Sequence, residues 1–344
     1  MYGNFNGWKI HEGSFSLARI GVGRYQLELP VSQIKYPFNY KYHKGDANQE
    51  ELDQIGNIPS PRKLKKGIYQ INDKVSRWRL NGLSCDPFFL PQKYIIEDDF
   101  EIPQLQKRRR IWALLPYNYD QSNKRYPVLY LQDAQNLFNE QAPFGNWAID
   151  EKLAILSELG YGEVIIVAVE HGEDDRIKEY SPFHTEEFGT GEGVAYAAFM
   201  HDTLKPYVDK KFRTKPHRIH TGIGGSSMGG LISVFTGLTY PESFAKWMIF
   251  SPSLWLSSKI FENAQTHQNN YPTFVYLFGG QRESLSMEAD LRLFTEILDS
   301  KSYKKQRLQY KLSIHPTATH SEKYWGAEFP RAIKWLYYDL DHEN

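Results

Sequence analysis

"GIGGSSMGGL", residues 222–231, sets five glycines and two adjacent serines directly after the alternating stretch "HRIHT". Gly225, Ser227 and Gly229 satisfy G-x-S-x-G, and the apolar stretch "GGLISVF" follows. A strand before and a helix after make this pattern a nucleophile elbow, a turn so sharp that side chains flanking the serine would collide with the strand. The serine backbone is then strained, its hydroxyl stands clear, and the helix N-terminus behind it adds partial positive charge. A Gly-rich crossover turn or a phosphate cradle is the alternative. The cradle wants G-x-x-x-x-G-K-S/T, and no lysine occurs here.

Outward from the elbow, the chain from Lys107 onward alternates strand and helix. "RRIWALLP", "PVLYLQD", "VIIVAVE", "RIHTGIGG", "KWMIFSP" and "TFVYLFGG" read as strands. Between them "NWAIDEKLAILSELG", "VAYAAFMHDTLKPYVDKKF", "GGLISVFTGLTY" and "SMEADLRLFTEILDS" read as helices, and "EFPRAIKWLYYDL" as a last one. Near-continuous apolar strands alternating with amphipathic helices predict an α/β fold, a mostly parallel, doubly wound sheet covered on both faces. The first 80 or so residues differ: "RYQLELP" and "FNYKYH" alternate with period two, which predicts a small antiparallel β-sandwich. "CDPFFLPQ" and the polar "EDDFEIPQ" place the boundary at about residues 84–100, giving domains of 1–90 and 91–344.

Composition narrows the functions. Forty-one basic residues balance 41 acidic ones in 344 residues, so no global field recruits nucleic acid or an anionic membrane. The single cysteine, Cys85, excludes an intramolecular disulfide framework and a multi-cysteine zinc site. The 11 histidines are scattered, without H-E-x-x-H or paired spacing, and no metal is expected. The best apolar run, "VIIVAV", is strand-length, and no run approaches the length needed to span a bilayer. No basic region followed by an apolar one opens the chain, so a cytoplasmic location is expected, or a periplasmic or secreted one if a leader has been removed.

A serine hydroxyl needs a base and an orienting acid, which in this fold follow in the order Ser, Asp or Glu, His. The turn "GGQRES" after one strand presents Glu283, and "TATHSEKYWG" after the strand "RLQYKLSIH" presents His320. Glu288 and Asp290 are rival acids and His315 a rival base, the first two on the following helix and the last beside Pro316. "HGEDDR" reads as a loop at a strand end, where Arg176 lines the pocket or anchors Glu179. Trp147, Trp255 and Trp325 fall near strand ends and either wall an acyl site or pack. "KRRR", residues 107–110, reads as a solvated edge.

From the elbow outward the chain resembles the esterase-D-like family of α/β-hydrolases, which includes feruloyl, acetyl-xylan and siderophore esterases and formylglutathione hydrolases. "YPVLYLQDAQNLFNE" is similar to that family's strand followed by Asp-Gly-Gln-Asn, and "RIKEYSPF" to its Arg-x-x-Glu-Tyr-Ser/Thr-Pro. "LKPYVDKKFRT", "FSPSLW" and "HSEKYW" resemble further signatures, and the likeness covers nearly all of residues 105–340. It implies Ser227 as nucleophile, Glu283 as acid and His320 as base. The oxyanion donors implied are the backbone N–H of Met228 and one from the loop at Ala134. Gln135, Arg176, Trp255 and Trp325 are the expected pocket residues. Two departures stand out: Ala134 replaces the usual glycine, where a Cβ restricts the backbone, and Ser321 replaces the usual asparagine.

"GNFNGW" with "YKYHKGDANQEELDQIGN" resembles starch-binding-like and related immunoglobulin-like modules, in which Trp8 either stacks on a sugar or packs in the core. The leading expectation is a serine carboxylic-ester hydrolase needing no cofactor, acting on a small-molecule or glycan-linked ester, with a homodimer as a further expected partner. The competing one is a hydrolase-fold protein that binds glycan without turnover.

Overall fold

The computed structural model describes residues 1–10, 13–45, 47–139, 141–186, 189–267, 271–302 and 308–339. Asp46, Glu140, Arg307 and Leu340, within the stretches quoted above, lie outside the described residues.

One eight-stranded sheet organises the chain from residue 92 on. Its strands are β1 (Gln92–Ile102), β2 (Lys107–Leu115), β3 (Val128–Gln132), β4 (Ile165–Val169), β5 (Thr221–Ser226), β6 (Lys246–Phe250), β7 (Thr273–Gly280) and β8 (Leu308–His315). Their spatial order is β8-β7-β6-β5-β3-β4-β2-β1. Pairings from β4 through β8 are parallel, while β4–β2 and β2–β1 are antiparallel. The order reverses between β3 and β5, and such switch points open crevices at the carboxyl ends of strands.

Alternation along β3 shows why the sheet is covered on both sides. Val128 and Tyr130 belong to one buried cluster, and Leu129 and Leu131 to another. The first cluster takes the helix α2 (Met228–Thr239) and α3 (Met287–Ser302), and the second takes α1 (Ile149–Glu158) and α4 (Glu322–Tyr337). Each fully buried aliphatic side chain is worth about 1.5–3 kcal/mol against exposure, so strands apolar on both faces stay in the middle layer.

Several expectations are corrected here. The last helix begins at Glu322, not 328, with Ser321 in extended conformation before it, and it runs through Pro330. The helix Lys259–Thr266 was not anticipated. "EDDFEIPQ" is largely the edge strand β1 rather than a boundary segment. "KRRR" lies on β2, one strand in from that edge. Side chains alternate across a strand, so Arg108 and Arg110 pair with Asp99 and Asp98 of β1. Lys107 and Arg109 instead face the opposite way onto the buried carboxylate of Glu179.

The first 90 residues form small antiparallel sheets. Tyr2–Gly3, Phe38–Lys41 and Arg62–Leu64 make a three-stranded one, and 18–21 with 24–26 and 51–52 with 77–78 make two-stranded ones. Phe38 and Tyr40 are buried as their alternation predicts, and Phe5 stacks on Phe38. Trp8 is not a core residue: it is 40% exposed, its ring edge against Tyr2. Helix α1 receives this region. Lys152 Nζ donates to the Gly56 carbonyl and Asn57 Oδ1, Glu151 accepts from the Ser84 amide, and Glu158 accepts from the Asp86 amide and pairs with Arg77. Among the described residues no helix is long and apolar enough to cross a membrane.

Candidate active site

Ser227 follows β5 directly with φ 57° and ψ −122°, and α2 begins at the next residue. Few non-glycine residues tolerate that region of backbone space, and the strain persists because neighbours over-determine it. The Ser227 amide donates to the Phe250 carbonyl at 3.0 Å, and the Ser227 carbonyl accepts from the Ser253 amide at 3.0 Å. The flanking glycines are sterically required: a Cβ at Gly225 would stand 2.9 Å from the Gly229 backbone, and one at Gly229 would stand 2.8 Å from Asp133 Oδ2.

Glu283 and His320 come from turns that are sewn together. The Gln281 amide donates to the His315 carbonyl, and the Arg282 amide to that of Ala318. Across this seam Glu283 Oε2 lies 2.8 Å from His320 Nδ1. The Glu283 side chain is 1% exposed, and its Oε1 accepts from the Gly280 amide at 2.6 Å and from Ser251 Oγ at 2.8 Å. A carboxylate only accepts, so Nδ1 carries a proton, and in the neutral imidazole Nε2 is then the nitrogen with the lone pair. The His320 side chain is 41% exposed and stands perpendicular to the Trp325 ring, centroids 4.8 Å apart. The rivals lie elsewhere. Glu288 pairs with Arg292 on α3, Asp290 is in the first turn of the same helix but about 200° around from Glu288, and His315 Nδ1 accepts from the Thr317 amide.

Residues 250–253, at the end of β6 and just past it, link Ser227 to Glu283. Phe250 and Ser253 hold the Ser227 backbone, Ser251 holds Glu283, and Ser253 Oγ lies 3.4 Å from Ser227 Oγ. "FSPSLW" was legible as a motif, but nothing in it told which serine faces which partner. Glu322 was also missed. It is buried at the start of α4, and burial raises its carboxyl above the ordinary value while nearby His320 and Arg176 pull it back.

The expected oxyanion positions are both buried at strand ends. Met228 is the first residue of α2, where a helix leaves its amides without intrahelical partners. At the other loop the left-handed residue is Asp133 (φ 62°), while Ala134 stays outside that region and buries its Cβ. The alanine therefore costs no backbone strain, contrary to expectation.

The remaining pocket residues divide. Arg176 does not anchor Glu179; it grips Asp133 through two bonds of 2.6 and 2.8 Å. Glu179 is held by Lys107 and Arg109. Gln135 is clamped to the loop after β4, donating to the His171 carbonyl and accepting from the His171 amide. Trp255 is 59% exposed beyond β6 and free to wall a cleft. Trp325 and Trp147 are buried and pack together, so neither presents an open wall. Among the described residues no group of three or more His, Cys, Asp or Glu is gathered as a metal would need.

The chain is similar to known proteins in sequence and in fold. The family model described as "Putative esterase" matches residues 102–336. "Uncharacterized protein YbbA" of Bacillus subtilis strain 168 is 27% identical over 248 residues, 67% of this chain and 92% of that protein. An "Endo-1,4-beta-xylanase/feruloyl esterase" of Xylanibacter ruminicola is 30% identical over 156 residues, 42% of this chain but 20% of that longer protein. In fold, the chain is similar to an IroE-like serine hydrolase from Shewanella oneidensis, with TM-score 0.57 and 21% identity over 71% of this chain and 79% of the other.

Proposed function

The chain belongs to this esterase family and is a carboxylic ester hydrolase, and from that premise we propose that Ser227, Glu283 and His320 form its catalytic triad and act through an acyl-enzyme. Ser227 Oγ attacks the ester carbonyl while His320 Nε2 takes its proton. Glu283 holds the imidazole in the tautomer that leaves Nε2 free and stabilises the imidazolium that forms. The Met228 and Ala134 amides receive the developing oxyanion. The C–O bond to the alcohol then breaks as His320 returns the proton to the departing oxygen. Water, deprotonated by the same nitrogen, releases the acid and restores the Ser227 hydroxyl.

The observation that carries this reading is the 2.8 Å contact between Glu283 and His320 on the same strand-end rim as the strained Ser227. A glycan-binding protein without turnover would have no use for either feature. Hydrolysis of 4-nitrophenyl acetate by the native protein and by Ser227→Ala tests the assignment. The variant should lose at least about 10³-fold in kcat, and equal rates would defeat it.

For the substrate, we propose a carbohydrate-linked feruloyl or acetyl ester, or a siderophore-type ester. The named activity of the Xylanibacter ruminicola relative supports the first. Turnover compared across feruloyl, acetyl-xylan, siderophore and thioester substrates decides among them, since fold and triad leave specificity to the pocket.

A further inference from the structure

We propose that Ser251 and Trp325 are positioning residues that aim Glu283 at His320 through a one-directional hydrogen-bond chain; the inference rests on the triad reading above. Trp325 Nε1 lies 2.8 Å from Ser251 Oγ, and Ser251 Oγ lies 2.8 Å from Glu283 Oε1. The direction follows from chemistry alone. An indole nitrogen only donates, so Ser251 must accept from Trp325, and its single proton is left for the carboxylate. Glu283 Oε1 thus receives two donors, Ser251 and the Gly280 amide, while Oε2 is left to face Nδ1 of His320.

Two further features show that the chain is built into the fold. Ser251 is fully buried and holds φ 43°, a conformation rare for a non-glycine residue. Its own amide donates to the Phe278 carbonyl at 2.7 Å, which fixes the backbone in that pose. Trp325 meanwhile touches both ends of the relay, since the ring that donates to Ser251 also stands against the His320 imidazole. Trp147 packs on Trp325 and on Phe250, the residue before Ser251, so one aromatic group sets both partners.

The test uses Ser251→Ala, which removes the hydroxyl, and Trp325→Phe, which keeps a ring but drops the N–H, with 4-nitrophenyl acetate as substrate. Each should lower kcat by about 10²-fold, the scale of a small misplacement, with KM changed less than twofold. Circular dichroism and thermal melting establish that the assayed protein is folded. Ser251→Cys, which keeps an S–H donor without β-branching, should recover part of the turnover. In a Glu283→Gln background Ser251→Ala should cost little more, because the relay has lost the acceptor through which it acts. The downfield Nδ1–H resonance of His320 should weaken or shift in both single variants.

Near-native kcat in folded Ser251→Ala and Trp325→Phe, or an undiminished loss from Ser251→Ala in the Glu283→Gln background, overturns the relay. The outcomes also separate the two readings. If Ser227→Ala remains active the triad itself fails, whereas if it is inactive and both relay variants keep full kcat, only the relay fails.

Discussion

The strand-end rim of the large sheet and the first 90 residues are built on opposite principles. At the rim Asp133, Glu173, Ser227 and Ser251 hold left-handed backbone just past β3, β4, β5 and β6. Each such residue costs of order 1–3 kcal/mol, and the surrounding hydrogen bonds and tight glycine packing keep it in place. The N-terminal region has short strands and leaves large apolar side chains such as Val22, Tyr69 and Phe88 in solvent. It leans on polar clasps to α1 where the rim leans on packing. Reactive geometry demands over-determination, while a small sheet needs only an attachment.

That contrast can be broken at several points. The largest effect belongs to Glu283→Gln, which keeps the shape of the side chain but reverses the donor logic at His320 Nδ1. A loss of about 10³–10⁴-fold in kcat is expected with the melting temperature little changed, and steady-state kinetics beside a thermal scan reads both. Gly225→Ala comes next. Its Cβ would meet the Gly229 backbone at 2.9 Å, so overpacking of about 1–3 kcal/mol should appear in urea unfolding together with reduced turnover.

Lys152 probes the attachment. Burial lowers its ammonium to about 8, despite the two oxygens it bonds. The unfolded chain keeps that proton to about pH 10.4, so between these values the folded state binds fewer protons. This residue's contribution to stability should therefore rise with pH from 8 to about 10.4, and below 8 the burial cost is constant. Urea midpoints of the native protein and Lys152→Met, taken across that window, should diverge in that sense. The same variant should speed proteolysis within residues 50–90 while leaving ester turnover within about twofold, since loosening this attachment opens the N-terminal region locally and leaves the large sheet folded.

Trp8→Ala is the mildest change. Turnover of a soluble ester should stay within about twofold, because an exposed side chain outside special contacts costs little. Retention on immobilised polysaccharide should fall if the ring stacks on sugar, and unchanged retention removes that role.

Much of the fold is legible in the sequence because it depends on periodicity. "VIIVAV" and the "VLYL" of "PVLYLQD" are apolar at every position, and only a strand buried on both faces suits them. The elbow is legible because a strained serine needs flanking glycines, and glycine is visible as a letter. Glu283 and His320 stood out by following successive strands. The α4 start at Glu322 was misplaced because Pro330 resembles a helix-start signal, yet the helix runs through it. The partner of Arg176 is not legible in the sequence: Glu179 is three residues away on the same helical turn, whereas Asp133 is brought to it only by the pairing of β3 with β4.

By itself, the sequence determined strand and helix periods, the turn that bends at Ser227, and the order in which Ser227, Glu283 and His320 follow their strands, since these are local properties of residue type and spacing. Tertiary structure alone decided that Asp133 rather than Ala134 takes the left-handed turn, that Lys107 and Arg109 face inward on Glu179, and that Ser251 passes the Trp325 hydrogen bond on to Glu283. Those pairings join residues many positions apart, and whether two such side chains meet depends on strand order and register, which no local pattern encodes.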